Sequence, residues 1–201
     1  MGKKSRKERE EKRDSFATQR IKEKRKHTLI AVLVFSGIAI IVGIQVYNFL
    51  SFDQVTPGAP PGAGSLGSEH VHATLLAKLH GDTFDFTGPA FQIKSSWQHF
   101  EARDGSTIHR HATGVMLGYL FETIGIGLDD ECYAFKSSGA ERKFCTNEEF
   151  SLKFYVNDKL VDTLTDLVFE DRDRILVSYG GEDQTQIDAQ LLELDTLRML
   201  G

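Results

Sequence analysis

The chain has 201 residues, enough for one ordinary domain with appendages. Its formal net charge of −5 hides an asymmetry: residues 1–27 carry 12 Lys+Arg against 5 Asp+Glu, and the remainder carries 12 against 24. The acidic remainder lacks the basic footprint that phosphate contacts need, which excludes a nucleic-acid-binding reading for it.

Residues 1–27 are a Lys/Arg/Glu-rich run with too few apolar side chains to bury a core of their own. Partial helix and partial disorder are expected, as a cytoplasmic tail beside a membrane helix; nucleic-acid or ribosome contact is the other role its charge permits. Residues 28–50 contain no charged side chain and read as a transmembrane helix, since about 20 apolar residues span a bilayer. The positive flank keeps the N-terminus in the cytoplasm and sends the rest outside, with the lipid bilayer as partner of residues 28–50. A cleaved signal peptide would have an apolar region of about 7–15 residues and a small-residue cleavage site. This run is longer and ends in Tyr47-Asn48-Phe49-Leu50, so the expectation is an uncleaved signal anchor in the cell membrane. Residues 51–68 hold three of the four prolines and several glycines, a composition that predicts a flexible linker.

Residues 69–201 read as an extracytoplasmic α+β domain. Six of the seven histidines fall within residues 69–112: His70, His72, His80, His99, His109 and His111. His70–His80 alternates as a half-buried strand, with Val71, Ala73, Leu75, Ala77 and Leu79 inward and Leu76 as the exception. Gly81-Asp82 predicts a turn, residues 83–86 a short returning strand, and residues 91–94 a further short piece. In Trp97–His111, a three-residue loop Arg103–Gly105 with Gly105 in the left-handed conformation fixes a hairpin register. It sets Phe100 opposite Ile108, His99 opposite His109 and Trp97 opposite His111. The apolar pair then shares one face, and His99, His109, His111 and Glu101 share the other.

Residues 113–124 predict a helix capped by Thr113 and ended by Gly125, apolar around nearly its whole circumference and therefore a buried core helix. Gly118 allows close approach to a neighbour. Cys132 and Cys145 sit at the ends of a hairpin around Ser137-Ser138-Gly139, a placement that fits one disulfide outside the cytoplasm; two free buried thiols are the alternative. A further hairpin turns at Asn157-Asp158. Residues 174–179 are a strand, and Ile187, Leu191, Leu194 and Leu197 mark a terminal amphipathic helix over residues 184–199.

Neutral imidazole binds zinc and copper, and three or four converging ligands make a site. The two His-x-His pairs and His99 share compatible strand parity, so His70, His72, His99, His109 and His111 are the candidate metal ligands, with copper or zinc as cofactor. Glu101 is placed to orient a ligand or to serve as one. Met116 reads as core packing, and His80 lies at the far end of its strand. The same histidines titrate near neutrality, so a pH sensor is a second reading of that face. A solvated strand face is the bland reading. A Cys-x-x-Cys pair is absent, as are Gly-rich phosphate loops and a Gly-x-Ser-x-Gly elbow, so no catalytic residue is assigned and an enzyme is not the leading expectation.

The stretches His70-Val-His72, His99-Phe-Glu101, Ile108-His109-Arg-His111-Ala112, Leu117–Phe121, Leu152–Asn157 and Asp173–Gly180, with Cys132 and Cys145, carry a resemblance. Over about residues 69–195 the chain resembles an uncharacterised family of membrane-anchored proteins from archaea and candidate bacterial phyla. Some of its members bear an automatic label of protein disulfide isomerase, which implies a Cys-x-x-Cys that is missing here. The spacing of Cys132 and Cys145 is also longer than in the family's hairpin. The Asn157-Asp158 hairpin followed by Asp173-Arg-Ile-Leu176 resembles part of a ubiquitin-like β-grasp. The resemblance brings no established activity. The expectation is an ectodomain of antiparallel β-hairpins around one buried helix that binds metal without catalysis. Its rivals are an interaction module or accessory subunit, with membrane-protein partners, and a thiol–disulfide protein.

Overall fold

The computed structural model describes residues 2–51 and 58–199, which fall into two compact units. The first is one helix, α1 (Gly2–Ser51). The basic tail, for which partial disorder is the sequence expectation, is thus helical from Gly2 onward. Within α1, Lys22–Tyr47 is long and apolar enough to cross a membrane. At 1.5 Å per residue such a segment rises about 39 Å, against about 30 Å of bilayer hydrocarbon. Its large side chains, among them Leu33, Phe35, Ile40 and Ile41, remain exposed.

The second unit holds ten strands and two helices among the described residues. In chain order these are β1 (Val71–Leu79), β2 (Asp82–Thr83), β3 (Gln98–His99), β4 (Thr107–Arg110), α2 (Leu117–Thr123), β5 (Ile126–Leu128), β6 (Cys132–Ser137), β7 (Ala140–Cys145), β8 (Ser151–Val156), β9 (Lys159–Val161), β10 (Arg174–Gly180) and α3 (Gln184–Thr196). The larger sheet has the order β3-β4-β1-β10-β8-β9, with β2 also on β1; β5, β6 and β7 form a smaller antiparallel sheet. The two middle strands, β1 and β10, run parallel, with Thr74–Leu79 beside Arg174–Tyr179. This corrects the expectation of antiparallel hairpins alone, and the reason is chain order: first and last strands meet at the centre, which no local turn pattern announces.

Because β1 is central, both its faces are covered. Ala73, Leu75 and Ala77 join the main core with Phe100, Ile108, Phe154 and, from α2, Leu117, Leu120 and Phe121. Leu76, the apparent exception to alternation, packs on the other face with Leu176, Ile187 and Leu194 under α3. It marks a second covered face, as near-continuous apolar runs do in central strands. Helix α3 starts at Asp183, whose carboxylate accepts the Gln186 N–H while Gln186 returns to the Asp183 N–H. It ends at Thr196, short of the predicted residue 199.

Helix α2 is shorter than predicted. Its N-cap is Met116, 39% exposed, so the helix starts beyond Thr113; within it Glu122 is exposed, so the helix is not buried all round. Gly118 does permit close approach, since a Cβ there would lie 2.8 Å from the Thr165 carbonyl oxygen. The Asn157-Asp158 and Ser138-Gly139 turns place both central residues at positive φ, as two-residue hairpin loops of this hand require. The expected strand 83–86 shortens to Thr83, although Phe84 and Phe86 still pack into the core. Residues 91–94 contribute a single bridge, Gln92 to Phe100.

Of the Pro/Gly-rich stretch, residues 52–57 lie outside the described residues. Residues 58–68 are held against the domain, where a flexible linker was the expectation. Pro60 is buried, and Ala59 and Ala63 pack against Trp97, Ala112 and Val115. The Gly64 N–H donates to the Thr113 carbonyl and the Gly67 N–H to the His111 carbonyl, at 2.8 and 2.7 Å.

Candidate metal centre

Strands β3, β4 and β1 lie side by side, and their registers assemble the histidines. His99 pairs with His109 across β3–β4, and His109 with His72 across β4–β1. His70 and His111 follow on the same face, because side chains two apart along a strand point the same way. The result is a tight ring cluster. Centroids lie 4.6 Å apart for His72/His109 and His70/His111, 4.7 Å for His70/His72, 4.9 Å for His99/His111 and 5.7 Å for His99/His109. The alternate residues, Phe100 and Ile108, point into the core and are fully buried.

All five histidines expected on one face are therefore brought together. Ligand atoms of His70, His109 and His111 lie within 4.8 Å of one another, so these three could hold a metal ion. His80, set aside on sequence grounds, stands apart with Phe144, Phe150 and Tyr179. His27 belongs to α1.

The loop that sets the register differs from prediction. Ala102 and Arg103 take the left-handed conformation, Gly105 does not, and the Asp104 N–H closes the turn on the Glu101 carbonyl at 2.9 Å. Asp104 holds the next segment, accepting from Ser106 N–H and Oγ at 2.8 and 2.7 Å and from Thr107 N–H at 3.2 Å. Gly105 serves close contact instead: a Cβ there would sit 3.0 Å from the Thr87 nitrogen. The pairing His99/His109 survives, while Phe100, beyond the end of β3, bridges to Gln92 instead.

Individual rings are fixed by their surroundings. The His99 Nδ1 lies 2.7 Å from the Ser95 carbonyl oxygen. A carbonyl only accepts, so Nδ1 carries the hydrogen and Nε2 is left toward the cluster. The His72 N–H donates to Asp171 Oδ1 at 3.1 Å, and its Nδ1 is 3.9 Å from the same oxygen. Glu101 reaches back over the turn to lie 3.4 Å from His99 Nε2 and 3.7 Å from His109 Nε2. His109 Nδ1 and His72 Nε2 are buried without a hydrogen-bond partner. Buried polar atoms in that state cost free energy, and a bound cation would relieve it.

His109 is 3% exposed, and burial pushes its pKa down to about 4. Glu101 opposes that shift, while His72, His99 and His111 reinforce it. His111 is also lowered, by burial and then by repulsion from His99 and His70. Both rings are thus neutral at neutral pH, the state in which imidazole binds metal. His70 is exposed and forms the solvent side of the cluster.

Beneath the cluster lies Arg110, between His109 and His111 in sequence and facing the opposite way. It is 2% exposed, pairs with Glu69, and donates to the carbonyls of Ala112 and Phe169, each at 2.8 Å. Glu69, Ser95, Arg110 and Asp171 are supports that sequence reasoning did not select. Nothing local ties Asp171 to a histidine 99 positions earlier.

The only cysteines, Cys132 and Cys145, face each other across β6–β7 and are joined by a disulfide. The site is a histidine-rich cluster in which three rings could hold a metal ion. Comparison with models of protein families, with curated proteins and with solved structures yields no match.

Proposed function

We propose that this chain is a membrane-anchored domain that binds copper or zinc outside the cytoplasm through His70, His72, His99, His109 and His111. The convergence of His70, His109 and His111 ligand atoms within 4.8 Å is the observation that carries this reading. Two unpartnered ring nitrogens nearby, on His72 and His109, support it. Residues 28–50 form the anchor, and the basic flank of residues 1–27 stays on the cytoplasmic side. The disulfide fits an oxidising compartment. A β-grasp-like core is part of the proposal. Its support is the parallel β1–β10 pair at the centre, the β8–β9 hairpin beside it and α2 packed across one face.

The donor set is imidazole with a carboxylate alongside. That chemistry suits zinc(II) and copper(II), whereas copper(I) prefers the thiolate or thioether that this face lacks. Elemental analysis of the full chain in detergent, loaded with zinc or copper and desalted, tests the reading. Wild type retains stoichiometric metal, and the His109→Ala/His111→Ala double variant loses it. A wild type that keeps only traces overturns the proposal.

A further inference from the structure

The cluster is larger than one ion requires. A tetrahedral site uses four donors, and a metal at His70, His109 and His111, with His72 beside them, leaves His99 and Glu101 outside. These two form a second constellation with its own geometry. His99 Nδ1 is committed as donor to the Ser95 carbonyl, so Nε2 is the ring atom left to face Glu101. The facing atom, Oε2 of Glu101, is 3.4 Å away. The other carboxylate oxygen is 3.7 Å from His109 Nε2. Both separations exceed the about 2.7–2.9 Å of a charge-assisted hydrogen bond. They lie close to and somewhat above the spacing of donors around a shared cation, about 3.3 Å for tetrahedral bonds of about 2.0–2.1 Å.

We infer that the cluster takes a second divalent cation of the zinc or copper(II) class, held by His99 Nε2, the Glu101 carboxylate and His109 Nε2. This rests on the metal-binding reading and extends it to a two-ion site. His109 can serve both ions because its two ring nitrogens stand in different settings, Nε2 toward Glu101 and Nδ1 buried without a partner. Binding through both nitrogens removes the ring's one N–H hydrogen as a proton to solvent. An imidazole shared in this way holds its two ions about 6 Å apart, from metal–nitrogen bonds of about 2.0–2.1 Å on either side of the ring. Glu101 is half exposed at the turn, so the second ion has an entry path that does not cross the core.

The test is stoichiometry on the full chain in detergent, titrated with zinc(II) and separately with copper(II), with bound metal counted by elemental analysis. Wild type binds two ions per chain. Glu101→Gln, which keeps size and shape on a half-exposed side chain, binds one. His70→Ala/His111→Ala also falls, by loss of the first site. Unchanged far-ultraviolet circular dichroism and Trp97 fluorescence show that each variant is folded. In copper-loaded wild type, coupling across the shared ring lowers the electron-spin-resonance intensity per copper, and Glu101→Gln restores it. A wild type that saturates at one ion, with Glu101→Gln unchanged, overturns the second site and leaves the metal-binding reading standing. A wild type that binds none overturns both.

Discussion

Burial of His109 gives the domain a pH dependence, to which the lowered His111 adds with the same sign. The folded pKa of His109 is about 4 against 6.5 for the free side chain. Between these values the unfolded chain holds more protons than the folded one, so stability rises with pH. The contribution is complete above about 6.5 and is lost as the pH falls toward about 4, to a total of at most about 3 kcal/mol. Urea midpoints of the chelator-treated chain, followed through the single, buried Trp97 across that window, should fall with acidification. In His109→Leu, which has no ring to protonate, the acid loss should shrink. Metal binding has the same sign, because protons compete for the ring nitrogens. Arg110 acts differently. Its guanidinium is buried on Glu69 and two carbonyls, so Arg110→Met leaves those carbonyls without a donor. We expect a loss of about 1–3 kcal/mol, on the scale of leaving buried carbonyls without a partner. The reverse deletion, Glu69→Ala, strands a buried cation and should cost a similar amount.

At the scale of elements, the segment 58–68 is the instructive one. Its composition reads as linker, yet it lies along the edge of the site and donates to the His111 carbonyl. Gly114 makes this possible, with φ of 70°, and a Cβ there would run into the Gly62 carbonyl oxygen. Gly114→Ala adds a left-handed strain of about 1–2 kcal/mol and a contact that the segment must yield to. Faster proteolysis within residues 58–68 and weaker metal retention are the expected results; unchanged protection of the segment would show that it is held by other contacts. The β6–β7 hairpin gives a contrasting case. The disulfide closes a short loop, with a sequence separation of 13, and its removal by Cys132→Ser/Cys145→Ser should cost about 3 kcal/mol. Metal stoichiometry should not change, because β6 and β7 belong to the smaller sheet and the histidines to the larger.

The same contrast explains what was legible in the chain. Parity along His99–His111 predicted the imidazole face, since a strand's two faces follow from period two whatever the turn does in detail. Asp104-Gly105 misled about the turn, because its carboxylate and its missing Cβ are used for holding and closeness rather than for a left-handed bend. What could not be read is what depends on distant partners. The parallel β1–β10 pair, the Leu76 face under α3 and the Asp171 contact to His72 each join residues about a hundred positions apart. Local periodicity has no term for such pairs.

For the whole molecule the decisive contrast is between two kinds of apolar surface. The second unit buries most of its large apolar side chains in three clusters, with single exceptions such as Ile93, Leu160 and Leu192. In α1, by contrast, Leu29, Leu33, Phe35, Ile40, Ile41 and Ile44 all stand exposed. Single exposed apolar residues are common on soluble proteins, but a continuous sleeve of them is not. A helix of that length with its backbone hydrogen bonds satisfied internally is what hydrocarbon accepts. The expected outcome is that the chain sediments with membranes and resists alkaline carbonate extraction. Placing a lysine at the middle of the span, as in Ile38→Lys, costs about 2.5–3.5 kcal/mol of insertion free energy by the translocon scale. It should shift part of the population to an extractable form, whereas the same change at Gln45, near the end, should be tolerated because lysine can reach the interface from there. A wild-type chain released by carbonate would remove the anchor, and with it the reason for proposing that the histidine cluster lies outside the cytoplasm; metal counting on the released chain would then still decide whether the cluster binds.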